Sequence, residues 1–160
     1  MKKVILFSLF ILFSVIHLQA QVQELPKVFL LGEHEQPYEV ATQTYSKTLL
    51  EVCNDNMQEA FHHWISMANE MDNFAEKINF DLKGVKVWMH VFWNEQGKID
   101  HIGYFLRPDS RNIKTNELSA FFMAFMGRYN TFPVKGDRKF SHYTGATFPT
   151  FVERFSPTNK

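Results

Sequence analysis

The alternation of side chains in residues 86–94, KVWMHVFWN, predicts a β-strand that has two apolar faces. A period of two places alternate residues on opposite sides of a sheet. One side carries Val87, Met89, Val91 and Trp93, and the other carries Trp88, His90 and Phe92. A sheet that is covered on one side only has a polar outer face, so the second set requires a covering layer or a partner.

A long amphipathic helix is predicted from residue 57 to residue 78. Its apolar positions recur at spacings of three and four, which form one stripe along a helix. The stripe consists of Met57, Phe61, Trp64, Ala68, Met71, Ala75 and Ile78. Asp55 and Gln58 match a capping box and predict the start of this helix, and Asn79 predicts its end.

A second amphipathic helix is predicted after residue 114. Thr115 or Asn116 is expected to cap it, and Pro133 with Gly136 ends it and turns the chain. Its apolar face contains Leu118, Phe121, Phe122, Phe125, Met126 and Tyr129. Both helices are expected to pack on the same face of the sheet.

Residues 98–107, KIDHIGYFLR, predict a second strand that forms a hairpin with the first. The intervening NEQG is typical of a turn closed by a glycine with positive φ. Ile99 and Ile102 are three residues apart instead of two. This spacing indicates a bulge near Asp100 or His101.

The order helix, hairpin, helix, strand predicts an α+β fold with a three-stranded antiparallel sheet and two helices on one face. The last strand is expected between residues 138 and 151, broken at Pro149. One domain, residues 55–153, suits the length of the chain. An N-terminal extension, residues 21–54, is expected to pack on this core, and residues 154–160 form a tail.

Within the extension, residues 27–31, KVFLL, are expected to form a short strand. GEHEQPYE at 32–39 predicts a loop, with Gly32 and Pro37 as breakers. Residues 46–53 form either a short helix or an extended lead-in. The extension either folds back over the aromatic sheet face or leaves that face free as an interface.

The first 20 residues have the layout of a secretory signal peptide. Lys2 and Lys3 precede an apolar run from Val4 to Ile16, which is shorter than the roughly 20 residues of a membrane span. We therefore predict a cleaved leader, a periplasmic or secreted protein, and no stable membrane insertion. An uncleaved N-terminal anchor is the alternative.

Charge and cysteine content exclude further classes of function. Removing the two leader lysines from 17 basic residues leaves 15 against 17 acidic residues. This balance gives no electrostatic basis for binding nucleic acid. Cys53, the only cysteine, cannot form an intrachain disulfide, and its position behind two leucines in LLEVC predicts a buried thiol.

Three histidines on strands are the sharpest candidates for metal chemistry. A short hairpin loop would place His90 opposite His101, and His142 would join them on the face away from the helices. Imidazole binds zinc and copper, but no carboxylate or thiolate completes a site there. We therefore predict no metal, no cofactor and no enzymatic activity. The alternative is a metal-dependent protein or enzyme that uses the three strand histidines. His62 and His63 are expected on a solvated helix face.

The ordered set GVKVWMHVFWNEQGKIDHI, ELSAFFMAFM, FPVKG and FSHYTGATFPTF resembles the TonB C-terminal domain family. The matching positions are Gly84, Gly97, Ile99, Ile102, Pro133, Gly136 and Phe151. Transducing members of that family carry a retained membrane helix and a long proline-rich spacer. Here the leader is expected to be cleaved and no proline-rich run is present, so energy transduction is not expected. The family also tends to carry Trp or Tyr shortly before the proline, where this chain has Asn130, Thr131 and Phe132.

The resemblance implies a non-catalytic module that recognises an extended peptide or an envelope protein by sheet-edge pairing. The unpaired N–H and C=O groups of an open sheet edge can bind such a strand, and the final strand is the expected edge. A structural homodimer is a further alternative. The predicted binding residues are Trp88, Phe92, Phe105, Phe140, His142, Tyr143 and Phe148.

Overall fold

The computed structural model describes residues 24–129 and 132–150. Five strands are present in these ranges: β1 (Val28–Leu30), β2 (Lys47–Thr48), β3 (Lys86–Trp93), β4 (Ile99–Leu106) and β5 (Phe140–Thr147). Four helices accompany them: α1 (Glu35–Thr44), α2 (Leu49–Val52), α3 (Met57–Lys77) and α4 (Thr115–Arg128). The predicted signal peptide, the C-terminal tail and the family position Phe151 lie outside the described residues.

The strands form one mixed sheet in the order β1-β4-β3-β5-β2. The three central strands are antiparallel, and β1 and β2 are added at the two sides in parallel orientation. The α+β class is confirmed, but the prediction of a three-stranded antiparallel sheet with two helices is wrong. The short strand predicted at residues 27–31 is present as β1, although its place in the sheet is not predicted. Strand β2 has only two residues, which is too short for a period of two to be recognised.

Two helices cover one face of this sheet and enclose the main core. The buried residues of α3 are Ala60, Trp64, Met67, Ala68, Met71 and Ala75. Those of α4 are Leu118, Phe121, Phe122 and Phe125. Both predicted helices are therefore confirmed, although Met57, Phe61 and Ile78 of the predicted stripe are exposed. The N-cap of α3 is Asn56, one residue after the predicted Asp55.

The β3–β4 hairpin contains the predicted bulge. Phe92 pairs with His101, whereas the next residue, Trp93, pairs with Ile99. Asp100 is therefore the extra residue of β4. The bulge reverses the phase of the strand, so that Ile99, Ile102 and Tyr104 all face the helices.

The turn between these strands ends at Gly97, whose φ is +79° as predicted. Its N–H group donates to the Asn94 carbonyl oxygen at 3.0 Å. A Cβ atom at this position would lie 2.6 Å from the carbonyl oxygen of Phe132 and 2.7 Å from that of Val134. Only glycine fits here, because the chain that follows α4 passes directly over the turn.

The N-terminal extension covers part of the second sheet face with α1. The predicted loop at 32–39 is wrong, because α1 begins at Glu35 and accommodates Pro37 in its first turn, where a missing N–H group has little cost. Ala41 is the one residue of α1 that is buried. The helix is composed mostly of polar residues, so its composition resembles that of a loop.

Residues 46–53 combine the two alternatives that the sequence left open. Lys47 and Thr48 form β2, and α2 starts immediately afterwards. Thr48 caps this helix: its side chain accepts from the Glu51 N–H group at 3.2 Å, and the Glu51 carboxylate accepts from the Thr48 N–H group at 2.7 Å. Leu49 and Cys53 are buried against the main core, so the predicted buried thiol is confirmed.

Candidate binding surface

Three large aromatic side chains remain exposed on the sheet face that carries α1. Trp88 on β3 is 41% exposed, Phe105 on β4 is 51% exposed, and Tyr143 on β5 is 54% exposed. Trp88 pairs directly with Phe105 in the sheet. We refer to Trp88, Phe105 and Tyr143 as the aromatic patch.

The indole ring of Trp88 lies across the sheet at the centre of the aromatic patch. It covers Gly145, where a Cβ atom would approach the ring to 3.4 Å. It is parallel to the ring of Tyr143, with centroids 6.1 Å apart. The guanidinium carbon of Arg107 lies 5.7 Å from the Trp88 centroid, a cation–π contact, and Asp109 holds Arg107 through an ion pair at 3.2 Å.

Helix α1 and the residue after it cover the other half of the same face. The Tyr45 ring lies 5.2 Å from the ring of the fully buried Phe92. The Tyr38 hydroxyl is hydrogen-bonded to His90 Nδ1 at 2.9 Å, and the Tyr45 hydroxyl donates to the Asp100 carboxylate at 2.8 Å. The extension therefore covers the half of this face that contains Phe92. It leaves the other half, with the aromatic patch, exposed.

Strand β5 has an open stretch on its outer side. On its inner side β5 pairs with β3 along its whole length. On its outer side β2 pairs only with Phe140 and Ser141. Residues 142–147 therefore have no outer strand neighbour within residues 24–129 and 132–150, although α2, which directly follows β2, also contacts β5.

The hydrogen-bond direction along β5 follows from its register. Phe148, directly after the strand, donates its N–H group to the Val85 carbonyl oxygen at 2.9 Å. Because the groups alternate in an antiparallel pair and the register is unbroken, the even-numbered residues bond to β3. The N–H and C=O groups of Tyr143, Gly145 and Thr147 point toward the open edge.

The structure separates the seven predicted binding residues. It brings Trp88, Phe105 and Tyr143 together at the surface, whereas Phe92, Phe140 and Phe148 are buried. Phe140 lies on the helix side, where its ring stacks on Trp93 with centroids 5.2 Å apart. Phe140 therefore does not join the aromatic residues of the opposite face, because nothing in the sequence sets the phase of β5 relative to the hairpin.

The predicted three-histidine arrangement is also wrong. His90 lies opposite Gly103 and not His101, because Trp93 pairs with Ile99 instead of Lys98 and the bulge shifts the register by one further residue. His142 is on the helix side of β5, with its ring 5.1 Å from that of Trp64. Burial lowers the pKa of His90 to about 4, with a smaller contribution from His142, and burial lowers the pKa of His142 as well.

Within the described part of the chain, one group of three metal-ligating side chains converges. Cys53, Glu59 and His63 place one ligand atom each within 4.8 Å of the others. Burial raises the pKa of the Cys53 thiol, and the Glu59 carboxylate raises it further. Sequence reasoning missed this group, although the spacing Cys-x5-Glu-x3-His lies in the printed sequence.

Comparison with other proteins adds no family assignment. No protein-family model matches the chain, and no significant match to a curated protein or to a solved structure is found. Among the described residues, no helix combines the length and the apolar character that a membrane crossing requires. The aromatic patch and the open edge of β5 are therefore the features on which a function can be argued.

Proposed function

We propose that this chain is a non-catalytic protein-binding module of the cell envelope, periplasmic or secreted. It binds an extended peptide along the open edge of β5. The observation that carries this proposal is the length of that edge: β2 occupies only the first two residues of β5. Three outward-facing peptide units follow, and their N–H and C=O groups match those of an added strand. The location rests on the sequence of residues 1–20 alone.

The aromatic patch supports the same proposal because it adjoins the open edge. Tyr143 belongs to both features, and the Trp88 ring extends over Gly145 on the edge strand. Main-chain hydrogen bonds give affinity to a bound strand of any sequence, and side-chain contacts give selectivity. Alternate side chains of an added strand would lie beside the patch, so peptides with an aromatic or aliphatic residue there are expected to bind best.

A relation to the TonB C-terminal domain remains part of this proposal. The order α3, β3, β4, α4, β5 agrees with the order on which the resemblance rests. Gly97 and the bulge between Ile99 and Ile102 agree with it as well. The covering helix α1 and the parallel strands β1 and β2 are additional to that pattern.

The decisive variant is Thr147→Pro, which removes an outward N–H group and leaves the β3–β5 hydrogen bonds intact. Peptides selected from a random display library against the wild-type protein are the probes. We expect Thr147→Pro to weaken their binding by at least about tenfold, because one edge hydrogen bond and the strand geometry are lost. Fluorescence anisotropy with labelled peptides measures this change.

Thr147→Val is the matched control, because it keeps the N–H group and the shape of the side chain. Circular dichroism and thermal unfolding are expected to be the same for both variants. If the two variants bind the selected peptides equally well, the peptide does not pair with this edge and the proposal fails.

A structural homodimer is the second candidate, and the exposure of the aromatic patch favours it. An apolar patch of this kind is uncommon on a monomer. In that case the wild-type protein elutes as a dimer on a sizing column and Trp88→Ala elutes as a monomer. Met123→Ala is the control, because Met123 is 43% exposed on α4 and is not part of the patch.

A further inference from the structure

The connection between α2 and α3 brings three side chains of different chemistry to one point. Cys53 directly follows α2, Glu59 lies in the first turn of α3, and His63 lies one turn later. Their ligand atoms are within 4.8 Å of one another, and His63 Nε2 lies 3.8 Å from Glu59 Oε1. Residues four apart share one face of a helix, so Glu59 and His63 point in the same direction.

The backbone places Cys53 against that helix face. Asn54 and Asp55 have φ values of +52° and +60°, so two consecutive left-handed residues reverse the chain within one turn. The Asp55 N–H group donates to the Leu50 carbonyl oxygen at 2.9 Å, and that of Asn56 donates to the Cys53 carbonyl oxygen at 3.0 Å. Left-handed conformations are tolerated by Asn and Asp but are unfavourable, and here they hold the thiol beside α3.

We propose that Cys53 Sγ, Glu59 carboxylate oxygen and His63 Nε2 form a binding site for Zn²⁺, with the fourth position open to water. Thiolate, imidazole and carboxylate are the ligand types that zinc prefers, and three protein ligands with one water is a common zinc geometry. The ion replaces the thiol proton, which passes to solvent, so that the two anionic ligands balance its charge.

The distances allow such a site after small side-chain rotations. Zinc–ligand bonds of about 2.0–2.3 Å place the ligands of a tetrahedral ion roughly 3.4–3.7 Å apart. The His63–Glu59 separation of 3.8 Å is already close to this range. The Glu59 side chain is 49% exposed and that of His63 is 20% exposed, whereas Cys53 is 1% exposed, so an ion can enter from the surface and reach the sulfur below.

The geometry distinguishes this site from chance proximity on a helix surface. His62 neighbours His63 in sequence but is rotated about 100° around the helix axis. It is exposed, and it is not a member of the converging group. Substitution of His62 is therefore a suitable control for substitution of His63.

Cobalt(II) titration of the purified, chelator-treated protein tests this assignment. A cobalt–thiolate bond gives a charge-transfer band in the near ultraviolet, and tetrahedral coordination gives intense visible bands. We expect one equivalent of cobalt to produce both, and one equivalent of Zn²⁺ to remove them. Cys53→Ala and His63→Gln are expected to weaken zinc binding by about 100-fold or more, since even loss of a supporting residue costs 10–100-fold.

His62→Gln is expected to bind zinc as the wild-type protein does. Zinc is also expected to raise the Tm of the wild type and of His62→Gln, because it binds the folded state, and to leave that of Glu59→Gln nearly unchanged. Glu59 is exposed, so this variant keeps its fold if the others do not. A missing charge-transfer band, or equal losses in His62→Gln and His63→Gln, would falsify the site.

Discussion

His90 is the only polar side chain that is buried in the described part of the chain. Its ring lies 4.1 Å from that of Phe92, and its Nδ1 atom is hydrogen-bonded to the Tyr38 hydroxyl. Burial disfavours the imidazolium form, which is why the pKa of His90 falls to about 4. A neutral His90 is therefore part of the folded state at neutral pH.

The lowered pKa of His90 predicts a loss of stability in mild acid. The unfolded chain binds a proton near pH 6.5, whereas the folded state does so only near pH 4, so the unfolded state is favoured as pH falls between these values. We expect the free energy of unfolding to drop by on the order of 1–2 kcal/mol between pH 7.5 and pH 5. Urea unfolding at the two pH values measures this drop.

His90→Gln is expected to lose most of this pH dependence, since glutamine does not titrate. The remainder is assigned to His142, whose pKa is lowered in the same direction. His62→Gln is the control and is expected to keep the wild-type slope, because His62 is exposed. An unchanged slope in His90→Gln would mean that this imidazole takes up its proton at the same pH in the folded and unfolded states.

At the scale of elements, α1 decides which aromatic residues belong to the core. Phe92 and Phe105 lie on the same sheet face of adjacent strands, yet Phe92 is fully buried and Phe105 is 51% exposed. The difference arises because Tyr38 and Tyr45 pack on Phe92. A ten-residue helix with one buried residue of its own thus divides the face into a covered half and an open half.

This division predicts unequal effects of two matched substitutions. Phe92→Ala is expected to lower the free energy of unfolding by about 3–5 kcal/mol, because it leaves a cavity beneath α1. Phe105→Ala is expected to lower it by less than about 1 kcal/mol, because the side chain is largely in water. Chemical denaturation of both variants measures the difference, and similar costs would show that α1 does not cover this face in solution.

The sequence predicts the long elements because their periodicity is carried by many residues. The hairpin follows from Gly97 and from the spacing between Ile99 and Ile102, since each feature restricts the backbone locally. The strand at residues 27–31 is also predicted, and it is present as β1. The phase of β5, the existence of β2 and the pairing of β1 with β4 depend on contacts between distant segments, which no local pattern encodes.

The sequence also predicts only part of the candidate binding surface. Three of the predicted binding residues, Trp88, Phe105 and Tyr143, lie together at the surface. Phe92 shares the alternation of Trp88 but is buried, because no local pattern shows that a mostly polar segment such as α1 covers one half of the face. Cys53 and His63 were assigned to burial and to solvent, since the left-handed turn that joins them has no strong signal in Asn54-Asp55.

At the scale of the whole molecule, the sheet is closed at its two sides to different extents. On the β4 side, β1 pairs with Ile102, Gly103 and Tyr104. On the β5 side, β2 pairs with two residues, and the stretch 142–147 stays open. Among the described residues, the longest stretch of a strand without an outer strand neighbour therefore lies on β5.

Amide hydrogen exchange is expected to alternate along this edge. The outward amides are Tyr143, Gly145 and Thr147, and the inward amides are His142, Thr144 and Ala146. We expect the inward amides to exchange at least about 100-fold more slowly in the free protein, because only they are bonded to β3. A bound peptide is expected to slow the outward set, as resolved by NMR, and uniform protection in the free protein would mean that another segment already covers the edge.

The two residues of β2 also limit the length over which a peptide can pair with β5. An incoming chain cannot slide past Ser141, so its alignment is fixed at one end and its paired length is restricted to about 20 Å, the span of six extended residues. Such a short binding edge, limited at one end, favours peptide ligands of defined length. It also gives copies of the molecule little opportunity to join edge to edge into growing fibrils.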